Sequence, residues 1–116
     1  MIKVVFLEVG NEKEILLEGK QRIKVGNIEY VDYCKPYVVI HCNGNRGFCL
    51  RGSLVQFEKN VGMPLVRAGK EYLVNLDYID DILEYIVLKS GKKFKISKAA
   101  KSQLKKAYFD YLLNKH

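Results

Sequence analysis

Along residues 71–82 the chain reads EYLVNLDYIDDI, and the rhythm of its apolar positions changes partway through. Tyr72, Val74 and Leu76 alternate as a half-buried strand requires. After Asn75-Leu76-Asp77 the apolar residues Tyr78, Ile79 and Ile82 lose that alternation and the segment becomes acidic. Elsewhere the alternating rhythm recurs in short runs rich in Val, Ile, Tyr and Phe: IKVVFLEV, EILLE, QRIKV, IEYVDY, YVVIHC, GFCLRG, YIVLK and KKFKIS. Such runs, closely spaced and punctuated at Gly10-Asn11, Gly26-Asn27, Asn43-Gly44-Asn45 and Ser90-Gly91, predict a mainly antiparallel β domain. There is no internal repeat, low-complexity stretch or long linker.

Two segments follow the helical period instead. In SLVQFEKN, residues 53–60, Ser53 is placed to cap a helix of a turn or two whose Leu54 and Phe57 share a face, forming a clasp over the sheet. Toward the carboxyl terminus, Leu104, Ala107, Tyr108, Tyr111 and Leu112 form an i, i+3, i+4, i+7, i+8 stripe, which must bury one face in the core or against another subunit. The hairpin YIVLKSGKKFKIS is constrained by parity. If Ile86 and Leu88 share a face with Phe94 and Ile96, cross-strand partners sum to an even number, which requires an odd loop. Lys89-Ser90-Gly91 with Gly91 left-handed fits, and Lys93 and Lys95 then point away from the core.

A chain of 116 residues fits one domain over residues 1–116. Twenty Lys and Arg against thirteen Asp and Glu leave +7, which favours an anionic partner without specifying a fold. Cys34, Cys42 and Cys49 are odd in number and lack a CxxC pair, so reduced thiols are expected in place of a disulfide framework or zinc site. A redox pair between Cys42 and Cys49, facing each other across the NGNRG turn, is the lesser alternative. The apolar run in MIKVVFLEVG is too short for a signal peptide or membrane span, and a cytoplasmic protein is expected.

The cations are unevenly distributed. From residue 89 to residue 106, KSGKKFKISKAAKSQLKK carries eight lysines and no acid. On a helix starting near Ser97, Lys98, Lys101 and Lys105 lie within about 60° of one another and form a basic ridge beside the apolar stripe. Arg67 and Lys70 flank Gly69 in a turn leading into EYLVNL, a common way of presenting cations to phosphates and base edges. Asp77, Asp80, Asp81 and Glu84 lack neighbours at metal-ligand spacing and read as a solvated face. His41 reads as a packed strand residue, with no Ser or Asp partner evident along the chain. No phosphate loop or nucleophile motif occurs, so neither an enzyme nor a cofactor nor a small-molecule substrate is expected.

In this order the segments resemble the LytTR family, a bacterial DNA-binding domain usually attached to response regulators. The resemblance is carried by IEYVD at residues 28–32, YVVIH at 37–41, GSLVQFE at 52–58, RAGKEYLVNLDYI at 67–79 and KISK at 95–98, and spans about residues 20–106. It implies an elongated arrangement of three small antiparallel β-sheets with a short helix and a C-terminal helix. Such a fold places loops, not a recognition helix, into successive major grooves. On that basis Lys70 matches the base-reading turn and Lys98 the Arg of a Val-Ser-Arg motif, while Tyr37 or its neighbour Lys35 falls at a third contact loop. Asn75 shapes the backbone after the reading turn.

Gly69-Lys70-Glu71 stands where the family pattern has His-Arg-Ser, and Lys98 where it has Arg. Lys lacks the planar fork with which Arg reads guanine, so these replacements should reduce specificity more than phosphate affinity. Glu71 would repel phosphate unless it accepts from a cytosine amino group or pairs with Arg67 or Lys70. The expected DNA-binding set is therefore Lys35, Tyr37, Arg67, Lys70, Glu71, Lys95, Lys98, Lys101 and Lys105. The partner is double-stranded promoter DNA with repeated half-sites, bound by a homodimer that uses Tyr108, Tyr111 and Leu112. Only about twenty residues precede the resemblance, too few for a receiver domain. A stand-alone regulator is expected; the alternative is a protein-interaction module of the same fold, controlled by a protein or membrane partner.

Overall fold

The computed structural model describes residues 4–17 and 21–115. Ile2 and Lys3 of the first expected strand and Glu18 of the second lie outside them. Eleven strands and two helices follow one another among the described residues. β1 (Val4–Val9), β2 (Glu12–Leu17) and β3 (Gln21–Lys24) form a meander, β1-β2-β3. The central sheet, in order β6-β5-β4-β8-β7, contains β4 (Ile28–Cys34), β5 (Tyr37–Cys42), β6 (Arg46–Arg51), β7 (Leu65–Arg67) and β8 (Tyr72–Asn75). The third sheet is β11-β10-β9, from β9 (Ile79–Ile82), β10 (Ile86–Leu88) and β11 (Lys93–Phe94). All pairings are antiparallel. The envelope measures 39 × 34 × 25 Å.

Alternation divides the central sheet between two cores. Val31, Val38, Ile40, Leu50 and Leu73 face the N-terminal meander and helix α1 (Leu54–Val61), whose Leu54, Phe57 and Val61 close that layer. Tyr30 and Val74 face the third sheet and helix α2 (Lys98–Asn114), with Ile86, Leu88, Phe94 and Leu104 fully or almost fully buried. Both caps are formed by serine. The Ser53 hydroxyl accepts from Gln56 N–H and the Ser97 hydroxyl from Ala100 N–H, satisfying amides that the first helical turn leaves free.

The third sheet bears out the parity argument. Ile86 pairs with Phe94 and Val87 with Lys93, and the loop of Lys89, Ser90 and Gly91 closes with Gly91 at φ +97°. β11 ends at Phe94, so Ile96 packs on the second core from the link to α2 without joining the sheet. The acidic segment after Asn75 is more regular than its apolar spacing suggests. Leu76–Tyr78 is a single 3-10 turn and Ile79–Ile82 a strand. The wholly buried Asn75 makes the transition: its amide donates to Ile28 O at 2.8 Å and its oxygen accepts from Asp77 N–H at 2.9 Å.

Three further expectations are corrected by register and packing. Cys42 pairs with Arg46 and Cys49 with Val39, one thiol buried and the other exposed, so the two cysteines do not face each other. Asp77 is not a merely solvated carboxylate. Both its oxygens accept from the Tyr111 hydroxyl at 2.9 Å, and Lys115 lies 2.7 Å away, which ties the end of α2 to the 3-10 turn. His41 has an acidic partner after all, because Asp32, on the neighbouring strand, comes within 3.3 Å of its Nε2. The imidazole also stacks on Tyr30 at 4.1 Å, which makes it a packed strand residue.

Candidate nucleic-acid interface

One end of the central sheet collects chain segments far apart in sequence. β4 and β5 turn there through Lys35-Pro36, with Cys34 opposite Tyr37. Tyr37 in turn lies opposite Arg51, the last residue of β6, and Gly52 N–H donates to Pro36 O at 3.1 Å. On the other side Asp32 pairs with Tyr72, and Tyr33 N–H donates to Glu71 O at 3.0 Å, so the β7–β8 turn with Lys70 and Glu71 stands beside the β4–β5 turn. Gly69, at φ +79°, completes that turn; a methyl group there would lie 3.4 Å from Ile96 Cγ2. The close packing brings the β11–α2 link alongside.

Lys70, Glu71, Lys95 and Ser97 consequently line one open cleft of about 550 Å³, floored by Tyr72, Ile96 and Ala100. Lys98 opens α2 at the same place. Lys101 is half-buried one turn farther on, and Lys105 lies about 10 Å from Lys98 along the helix axis. The structure thus brings Lys35, Tyr37, Lys70, Glu71, Lys95 and Lys98 to one end and leaves Lys105 receding from it. Arg51 belongs with them and was not singled out from sequence, since its position beside Tyr37 depends on the β5–β6 register. None of Lys35, Arg51, Lys70, Lys95 and Lys98 forms an ion pair among the described residues.

Arg67 differs from these. Its Nε and Nη2 donate to Glu58 Oε1 on α1 at 3.1 and 2.8 Å, and its Nη1 donates to Lys70 O at 2.9 Å. The guanidinium therefore spans α1 and the turn and is occupied inside the protein. The Glu71–Arg67 pairing considered from sequence is not formed, because Glu58 takes that place. In α2, Tyr108 and Tyr111 pack on the second core, while Phe109, Leu112 and Leu113 are the large apolar side chains left exposed.

Among the described residues no cluster of three His, Cys, Asp or Glu side chains could hold a metal ion, and no helix is long and apolar enough to cross a membrane. No curated protein matches the chain. Its fold is similar to that of a LytTr DNA-binding domain from Bacillus cereus. The TM-score is 0.65 at 17% identity, over 90% of this chain and 94% of that one. The LytTr DNA-binding domain family matches residues 18–109. With that match spanning both cores and every segment of the basic end, the chain belongs to the LytTR family of DNA-binding domains.

Proposed function

We propose that this domain regulates transcription by sequence-dependent binding of promoter DNA, with the β4–β5 turn, the β7–β8 turn and the β11–α2 link entering successive major grooves. The observation that carries this reading is the gathering of Lys35, Arg51, Lys70, Lys95 and Lys98, none of them ion-paired among the described residues, at one end of a rigid sheet. Lys70 and Lys98 address base edges; Lys35, Arg51 and Lys95 address phosphates, with Tyr37 packing against the sugar-phosphate backbone. Lys101 and Lys105 extend the phosphate track along α2. Glu71 accepts from a cytosine amino group, which would disfavour guanine and thymine, whose major-groove edges present acceptors at that position. Arg67 acts indirectly, by fixing the carbonyl of Lys70. Two protomers occupy repeated half-sites.

Selection from random duplex DNA, followed by titration of the preferred and scrambled duplexes at several salt concentrations, tests this reading. Several phosphate contacts should reduce affinity by orders of magnitude between about 50 and 200 mM salt, because each bound cation releases counterions from the duplex. A flat salt response, or selection yielding no preferred sequence, would favour the protein-interaction alternative.

A further inference from the structure

The outward face of α2 has a composition that neither DNA binding nor the core explains. Phe109 is 60% exposed and Leu113 77%, an unusual state for two large apolar residues one turn apart. Measured from the buried Leu104 at about 100° per residue, Lys106, Phe109, Asp110 and Leu113 all fall within about 60° of the direction opposite the core. Lys106 and Asp110 are both exposed, and neither forms an ion pair among the described residues. Tyr111 and Lys115, bonded to Asp77, hold this part of the helix in place, so the face is presented on a fixed element.

We infer that this face is a self-association surface on which α2 of a second copy packs antiparallel about a two-fold axis. The choice of a second copy rests on charge. In an antiparallel pair centred near residue 108, Lys106 of each copy lies opposite Asp110 of the other, so one arrangement forms two reciprocal ion pairs. An isologous contact requires this kind of self-complementarity. The two Phe109 side chains then sit about 3 Å apart along the axis, at the middle of the contact. Leu113 falls over the small Ser102 of the other copy. Lys98, Lys101 and Lys105 lie to one side of this face, and the contact leaves the basic end of each copy uncovered. One helix face is a small interface, so the association belongs at the weak end of the range for specific pairs.

The inference rests on the proposal of two protomers and names the surface they use; the test omits DNA so that the two can fail separately. Sedimentation of the free protein from low-micromolar to near-millimolar concentration should show a concentration-dependent rise toward twice the monomer mass. Phe109→Ser, Lys106→Glu and Asp110→Lys should each keep the protein monomeric. Because Lys106→Glu sets two acids against each other and Asp110→Lys two bases, the double variant Lys106→Glu/Asp110→Lys should restore association. All three positions are exposed, and thermal melts should show each of the four variants folded. A wild-type protein that remains monomeric throughout, a dimer unaffected by the single substitutions, or a double variant that fails to re-associate would overturn the proposed contact. One-site DNA affinity, measured separately, should be unchanged in Phe109→Ser; a loss there would place Phe109 on the DNA surface instead.

Discussion

At one end of the central sheet Lys35, Arg51 and Lys70 stand without ionic partners among the described residues; at the other, several charged side chains are engaged within the protein. The Glu29 carboxylate, turned inward where the β4–β5 register shifts, accepts from the Ser90 hydroxyl. Lys92 lies over the rings of Tyr30 and Phe94, Arg46 over Phe48, and Asp77 holds Tyr111 and Lys115. The meander uses its cations similarly, with Arg22 on Glu14 and Lys13 donating to the carbonyls of Val61 and Met63. Net charge is distributed over the whole chain, but availability is not. A cation already satisfied by an internal partner has little to offer a phosphate, so pairing as well as composition bears on where the proposed interface lies.

The contrast can be broken most severely through α2, which carries Lys98 at the free end and Tyr111 at the paired end. Leu104→Ala removes its fully buried anchor and should destabilise the fold by about 2 to 5 kcal/mol, seen as a lower midpoint in denaturant with an unchanged slope. Arg67→Ala comes next, since it removes three hydrogen bonds from a half-buried guanidinium and should lose about 1.5 to 3 kcal/mol of stability. Its effect on DNA sharpens the comparison. An internally paired Arg67 should lose discrimination between preferred and scrambled duplexes with the salt slope unchanged, whereas a phosphate-binding Arg67 would lower that slope by about one.

Within the free end, Lys70→Ala should lose about 1 to 3 kcal/mol on the preferred duplex and little on scrambled DNA, because a base contact discriminates. Lys105→Ala should weaken both about equally and lower the salt slope by about one. Titrations of both variants on both duplexes check this. Equal losses for Lys70→Ala would make its turn a phosphate clamp. The smallest effect belongs to the paired end, where Tyr111→Phe should lose about 0.5 to 1.5 kcal/mol near neutral pH.

That last deficit should depend on pH. Partial burial pushes the Asp77 carboxyl upward, but the bonds from Lys115 and Tyr111 outweigh it and hold the group below its ordinary 3.8. A carboxyl depressed by folding stabilises the fold above its unfolded value, and the contribution is lost as pH falls through the folded one. The Tyr111→Phe deficit should therefore persist down to about pH 4 and shrink below it. At the alkaline side, burial and the Asp77 bond raise Tyr111, and the Asp77 bond raises Lys115. This latch should therefore hold until the pH exceeds the ordinary phenol value of 10.0. Denaturant midpoints of wild type and variant across pH measure both limits.

Much of this was legible where a local rule admits few solutions. The parity of Ile86, Leu88 and Phe94 required an odd loop, and Ser53 announced a helix start through cap chemistry. What stayed hidden depends on register between distant strands. Arg51 gains its significance from lying opposite Tyr37, and Asp32 becomes a partner of His41 only across the β4–β5 pair. β7 is three residues long, too short for alternation to show, and reads as part of the turn it precedes. The internal bonding of Arg67 was hidden for a related reason. A guanidinium near a basic turn looks like a phosphate ligand until α1 places Glu58 2.8 Å from it.

The central claim, that the free end and not the paired end meets DNA, is tested most directly by following every backbone amide by NMR as a duplex of the selected sequence is titrated in. The account expects the largest shifts at residues 35–37, 51, 69–71 and 95–98. They should decline along α2 beyond Lys105 and be small around Glu29, Arg46 and Asp77. Shifts concentrated on those three positions or on the outward face of α2, with the β4–β5 and β7–β8 turns unmoved, would contradict it.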